Sequence, residues 1–254
     1  MTGRSDRSGW IPSTYESKLR VGIIVPARNE GMTIGDVLRR IRIAQPFAAI
    51  AVIDDFSDDS TATRAGEEGA EVFRMPCHMG YAEVVATGLA WAARQGLETI
   101  VLIDADGQHD PADIPALLRK QGDSEADVVI GSRFVGGSRD DRPFLFKLGN
   151  QLFSRIIELL TGCRIHDTSS GFKAIRSSVL PSLLRSHFVD FHAESIVFVL
   201  AAGFRVVEEP VNMQDRTAGR SMHGLRTMVM YPFKTALMTG LGLAEGRRFR
   251  RIGA

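Results

Sequence analysis

The sequence predicts an α/β fold, with a mostly parallel sheet covered by helices on both faces. Three observations carry this. Short apolar runs of strand length alternate with stretches of apolar residues at helical spacing through the first half of the chain. The 254 residues, 44% hydrophobic and 24% charged, can bury a real core and exclude a disordered, collagen-like or repeat-dominated chain. No internal repeat and no long linker divides them, so one domain is expected.

The strand runs are Val21–Pro26, Ile50–Asp54, Glu71–Arg74, Thr99–Asp104 and Asp127–Gly131. Between the third and fourth, Val84, Val85, Gly88, Leu89 and Ala92 recur at helical spacing. The helix after the fourth has a marked start: Asp110 can cap it, Pro111 suits its first turn, and Asp113 suits its positive end. Beyond Gly131 the rhythm changes. A loop is expected over Gly136–Asp141, then a long helix over Phe144–Leu160 with Leu145, Leu148, Leu152 and Ile156 on one face. A polar loop over Thr161–Gly171, a helix over Phe191–Ala202 and a strand over Arg205–Val211 follow.

The net charge of +1 hides an asymmetry, because nine Lys/Arg face four Asp/Glu from Arg205 onward and the body before it is acidic. A basic C-terminal part suggests an anionic surface or ligand. Two cysteines, Cys77 and Cys163, give no disulfide framework and favour a reducing compartment. The polar start, Met1–Ser13, does not read as a signal peptide. The longest uncharged apolar stretches have ten residues, against the ~18 or more of a membrane span.

Ligands of open parallel sheets bind at the carboxyl ends of the strands, and here those ends are rich in carboxylates. Asp104 and Asp106, two residues apart at such an end, can share a hard divalent cation, Mg²⁺ or Mn²⁺, which can also hold nucleotide phosphates. An isolated Asp-x-Asp more often serves loops and caps; the strand-end placement favours the cation. No G-x-G-x-x-G follows the first strand and no G-x-x-x-x-G-K-[ST] occurs, which argues against a dinucleotide site and excludes a P-loop. Asp167, ahead of a Thr-Ser-Ser-Gly loop, is a candidate to orient an acceptor or act as base, or else to brace that loop. His78 beside Cys77 reads as structural, since no further Cys or His lies near.

Val25-Pro26-Ala27-Arg28-Asn29-Glu30, Asp54–Thr61, Asp104–Asp110, Gly131–Phe134 and Asp167–Lys173 occur in an order and spacing that resembles glycosyltransferase family 2. The Asp167–Lys173 segment followed by Arg216–Ser221 is similar to its dolichol-phosphate mannosyltransferase and polyprenyl-phosphate glycosyltransferase branch. The resemblance implies a GT-A fold and an inverting hexosyl transfer from a nucleotide-diphosphate sugar, of the GDP-mannose or UDP-glucose type, to a polyprenyl phosphate. It places Asp104, Asp106 and Gln108 at the metal and donor diphosphate, and Pro26, Arg28, Glu30, Asp54 and Asp55 around the nucleoside. Arg133, Arg216, Arg220 and Ser221 would meet phosphates. Asp106, Asp167, Arg133 and Arg216 are the candidate catalytic residues. Two departures stand out: Phe56 replaces the glycine of the family's D-D-G-S turn, and His78-Met79-Gly80-Tyr81-Ala82 alters its N-x-G-x-G segment.

The expected organisation is a flexible segment over 1–20, a GT-A catalytic domain over 21–224, and an amphipathic helix with a basic tail over 225–254. Arg247, Arg248, Arg250 and Arg251 next to that apolar face fit a helix lying on an anionic leaflet. The alternative is a helix packed on the body with a solvated tail. The expectation is thus a metal-dependent enzyme at the cytoplasmic membrane face, with no nucleic-acid partner. The competing expectations are a relative acting on a soluble or glycan acceptor, and a non-catalytic nucleotide-sugar-binding module.

Overall fold

The computed structural model describes residues 20–136, 144–186, 193–213 and 239–251. In chain order the elements are β1 Val21–Ala27, α1 Ile34–Ala44, β2 Ala49–Asp54, α2 Thr61–Glu67, β3 Glu71–Arg74, α3 Tyr81–Arg94 and β4 Thr99–Leu102. They continue as α4 Ile114–Ser124, β5 Val128–Ser132, α5 Phe144–Thr161, β6 Lys173–Arg176, α6 Leu180–Arg185, α7 Ala193–Ala201 and β7 Val206–Pro210. A last helix, α8, spans 239–251.

The seven strands form one sheet in the order β3-β2-β1-β4-β6-β5-β7. All neighbours are parallel except β6, which runs antiparallel to both β4 and β5. The five parallel runs read from sequence are present. β6 and α6 are additions: Lys173 and Arg176 put two cations into a four-residue strand, so no apolar run marks it.

β1 is buried along its whole length and its side chains alternate between two cores. Ile24 joins Val84, Val85 and Leu89 of α3, Ile157 of α5, Leu183 of α6 and Phe198 of α7 on one face. Ile23 and Val25 join Val37 and Leu38 of α1, Ala65 of α2 and Leu117 of α4 on the other. On α5 it is Ile157, one residue from the expected Ile156, that is fully buried. Gly88 lets α3 settle on β1, because a methyl group there would collide with Ile24. The start of α4 is as expected: the Asp110 side chain accepts the Ala112 N–H at 2.9 Å and Pro111 opens a single 3₁₀ turn.

α8 packs on α7 through two glycines. A methyl at Gly242 would meet the Glu194 carbonyl, and one at Gly246 would meet Phe198 O and Ala201. Phe249 stands edge-on to Phe198 at 6.3 Å. Leu241, Arg247, Arg248 and Arg251 remain exposed. Of the expected C-terminal helix, the portion 225–238 lies outside the described residues, as does the loop expected at 137–141. No helix among the described residues is long and apolar enough to cross a membrane.

The Gly88 contact gives a stability prediction. Gly88→Ala should lower stability by about 1–3 kcal/mol through overpacking against Ile24. It would be read as a lower urea midpoint at unchanged slope.

Candidate active site

The carboxyl ends of β1, β2, β4 and β5 share one rim of the sheet. The turns after β1 and β2 are stitched together there by side chains that receive backbone N–H groups. Ser57 Oγ accepts from Asn29 at 2.9 Å, Thr61 Oγ1 from Glu30 at 2.9 Å and Asp59 Oδ2 from Gly31 at 2.9 Å. In return Asn29 Oδ1 accepts the Asp58 N–H at 2.9 Å. Much of the Asp54–Thr61 motif therefore acts as scaffold. Burial pushes the Asp59 carboxyl up, but its bonds to Thr61 and Gly31 bring it below the ordinary range.

Asp54 is fully buried, and its Oδ1 accepts both the hydroxyl and the N–H of Ser57. Arg74 Nε lies 3.6 Å from its Oδ2, and Arg74 also donates to Ser57 O at 2.8 Å. Phe56 adopts φ 59°, the left-handed region that a glycine enters without strain. The Phe56 ring lies 5.5 Å from the Arg74 guanidinium.

Asp55 faces the loop that opens α3. It accepts from His78 Nδ1 at 2.7 Å, from the Met79 N–H at 2.7 Å and from the Gly80 N–H at 3.1 Å. Burial raises its pKa, but the Met79, His78 and Gly80 bonds lower it further, so the net shift is downward. Arg28, at the end of β1, reaches the other side of the His78 ring: Nη1 lies 2.9 Å from Nε2. Pro26 is buried within β1, and Glu30 receives the Thr33 hydroxyl at 3.0 Å.

β4 ends at Leu102, two residues before the expected metal pair. The chain then turns so that Asp106 Oδ1 accepts the Gln108 N–H at 3.0 Å, with Gly107 at φ 75°. Asp106 is 8% exposed, and the Asp104 side chain is 32% exposed. Asp104 lies against Gly171, where any methyl would collide with its carboxylate. The Tyr81 hydroxyl donates to Asp104 Oδ1 at 3.3 Å. His109 is buried beside them, its Nε2 4.0 Å from Asp104 Oδ2 and its ring 5.2 Å from Phe172. Burial, then the Arg133 charge, pulls the His109 pKa down to about 4 against the opposing pull of Asp106 and Asp167. The structure therefore brings Asp104 and Asp106 to one turn, but no group of three or more His, Cys, Asp or Glu forms a metal cage among the described residues.

Arg133, after β5, grips Asp167 through two parallel bonds, Nε to Oδ2 and Nη2 to Oδ1, each 2.6 Å. Its Nη2 also donates to Ser169 Oγ at 2.7 Å. Glu208 on β7 holds the same loop by accepting the His166 and Asp167 N–H groups, both at 2.8 Å. Asp167 is fully buried; burial raises its pKa, but Arg133 and the backbone bonds lower it more. The Asp167 carboxylate is thus engaged by Arg133 and by its own loop. Lys173, also buried, donates to Ser170 O on the other flank of Gly171.

Among the expected site residues, Arg216, Arg220 and Ser221 lie outside the described residues. Sequence reasoning assigned no role to Tyr81, Lys173 or Glu208 and took His78 as structural. Tyr81 and Lys173 stand inside family-like segments and Glu208 is a charge in an apolar strand run, and these are the signals that point to them.

A family model described as glycosyl transferase family 2 matches residues 22–184. The polyprenol monophosphomannose synthase of Mycolicibacterium smegmatis is 30% identical over 229 residues, 86% of each chain. The undecaprenyl-phosphate mannosyltransferase of Micrococcus luteus is 30% identical over 213 residues, 80% of this chain and 87% of that one. Among solved structures, Mycobacterium tuberculosis glucosyl-3-phosphoglycerate synthase in complex with Mg²⁺ and uridine-diphosphate is similar in fold, with a TM-score of 0.70 at 21% identity. That match covers 92% of this chain and 85% of the synthase. The sheet order, the strand-end carboxylates and these likenesses agree: the chain belongs to glycosyl transferase family 2 and is a hexosyltransferase with a GT-A fold.

Proposed function

We propose that this enzyme transfers a hexose, with inversion at its anomeric carbon, from a nucleotide-diphosphate sugar to a polyprenyl phosphate at a membrane surface, with the help of a divalent cation. The observation that carries the proposal is the Asp104–Asp106–Gln108 turn, lodged at the carboxyl end of a central strand against Gly171. Two relatives named for polyprenol and undecaprenyl-phosphate mannosyl transfer support the acceptor.

Asp104, Asp106 and Gln108 would hold the cation. Their oxygen donors suit Mg²⁺ or Mn²⁺, and the glycine at 171 keeps a side chain from crowding Asp104. When bound, the cation neutralises charge on the departing diphosphate. Pro26, Arg28, Glu30, Asp54 and Asp55 frame the nucleoside end, for a donor of the GDP-mannose or UDP-glucose type. Arg216, Arg220 and Ser221 are assigned to phosphates, which guanidinium groups bind through paired hydrogen bonds.

A phosphate acceptor is anionic at neutral pH, so its oxygen attacks without a strong base. Asp167 is accordingly assigned to positioning. It fixes Arg133 at the rim, where the guanidinium edge offsets developing negative charge. Residues 21–224 form the catalytic unit in this proposal, and the C-terminal part attaches it to the cytoplasmic leaflet through the exposed Leu241, Arg247, Arg248, Arg250 and Arg251 of α8.

Three measurements check it. Asp106→Asn should lower kcat about 100-fold or more, because charge stabilisation at the leaving group is worth several kcal/mol. Chelation should stop the wild-type enzyme, with activity restored by Mg²⁺ or Mn²⁺. Turnover should require a lipid phosphate; equal rates with soluble sugar acceptors would favour the glycan-acceptor alternative.

Asp167 predicts an acid dependence. Its folded pKa is depressed, so it contributes stability that is present above the unfolded carboxyl range and is lost as the pH falls through the lower folded value. Asp167→Asn should be less stable at pH 7 and lose less than the wild type on acidification below about pH 4. Chemical denaturation across pH measures this.

Replacing Arg247, Arg248 and Arg251 with Ala should weaken binding to vesicles containing anionic lipid by about 1 kcal/mol per charge. Wild-type binding should fall with added salt. Cosedimentation with neutral and anionic vesicles reads both effects.

A further inference from the structure

Arg28, His78 and Asp55 come from three segments: the turn after β1, the loop before α3 and the end of β2. Their side chains meet in a line. Arg28 Nη1 lies 2.9 Å from His78 Nε2, and His78 Nδ1 lies 2.7 Å from Asp55 Oδ2. A guanidinium carries only donors, and an ionised carboxylate only acceptors. The line therefore has one sense: Arg28 donates to Nε2, and the ring donates its single proton from Nδ1 to Asp55. His78 is the one side chain of the three able to accept and donate at once.

Asp55 has little capacity left for a ligand. Besides His78 it accepts the Met79 and Gly80 N–H groups, which makes three donors for a carboxylate with about four lone-pair sites. Its bonds fix the loop at 78–80, and Gly80 is the residue from which α3 starts. Arg28 is differently placed. It is exposed at the carboxyl end of β1, it has further N–H donors beyond the one given to His78, and it can rotate freely unless something holds it.

We propose that His78 is a positioning residue for the sugar donor: it carries the fixed point at Asp55 across to Arg28, so that Arg28 rather than Asp55 presents hydrogen-bond donors to the nucleoside diphosphate. The inference rests on the donor site proposed above and deepens it by dividing the labour among its residues. Asp55 acts on the ligand through two intermediaries. Replacing His78 therefore frees Arg28 to sample other rotamers, and the donor must order it again on binding.

The test cuts the line at one bond. In His78→Asn the side-chain amide can still donate to Asp55, as Nδ1 does, but is too short to reach Arg28. Calorimetric titration of GDP and of UDP, each with Mn²⁺, should show His78→Asn weakening whichever nucleotide binds by about tenfold, the scale of ordering one rotamer-rich side chain. Arg28→Ala, which also removes the contact, should cost at least as much, and the double variant should be no weaker than Arg28→Ala alone, as coupled residues require. In turnover the loss should fall on the donor KM, with kcat within about threefold of the wild type. Ring ¹⁵N resonances of wild-type His78 should report the proton on Nδ1, a readout that needs no variant.

Wild-type affinity in His78→Asn, losses that multiply in the double variant, or a proton on Nε2 would each overturn the role given to His78 while leaving the donor site intact. Failure of the wild-type protein to bind either nucleotide would overturn the donor site itself, and the role of His78 with it.

Discussion

Everything at the rim of this sheet depends on keeping carboxylates satisfied in a poorly hydrated place. Asp54, Asp55, Asp106 and Asp167 are all buried, so each carboxylate needs hydrogen-bond partners in place of water. The protein answers each with donors of its own. Asp54 has Ser57, Asp55 has the 78–80 loop, Asp106 has the Gln108 N–H, and Asp167 has Arg133. Two of these carboxyls, Asp55 and Asp167, end below the ordinary range although burial pushes them up. A rim so organised has each of these carboxylates held by hydrogen-bond partners from the protein itself.

The parallel half of the fold was readable because its strands are buried and apolar, and because Asp110-Pro111 spells the start of a helix in its own chemistry. The antiparallel insertion was not. β6 buries Lys173 between two strands, and a lysine in a four-residue run looks like loop. The site divides in the same way. Asp104 and Asp106 could be placed by their position just past a strand, a local property. Arg133 and Asp167 were both singled out, yet their pairing joins residues 34 positions apart and no spacing rule reports it. The roles of Ser57, Asp59 and Thr61 were hidden for the same reason, since each bonds the backbone of a different turn.

The two departures from the family pattern turn out to be different in kind. Phe56 sits in the left-handed region, at φ 59°, and places a ring beneath Arg74. The His78 ring lies between two charged residues and touches both.

The antiparallel strand also joins distant parts of the chain. β1, β2, β3 and β4 pair among themselves, so the turns after β1 and β2 are joined by contacts within the first part of the chain. β6 must then return from far along the chain to lie between β4 and β5, pairing Thr99 with Arg176. Only when it has docked does Gly171 come up against Asp104 and the Asp167 loop meet Arg133. The contact of Gly171 with Asp104 is thus one of long sequence separation, so a change that displaced β6 would disturb the Asp104 carboxylate, which belongs to a turn far away in the chain.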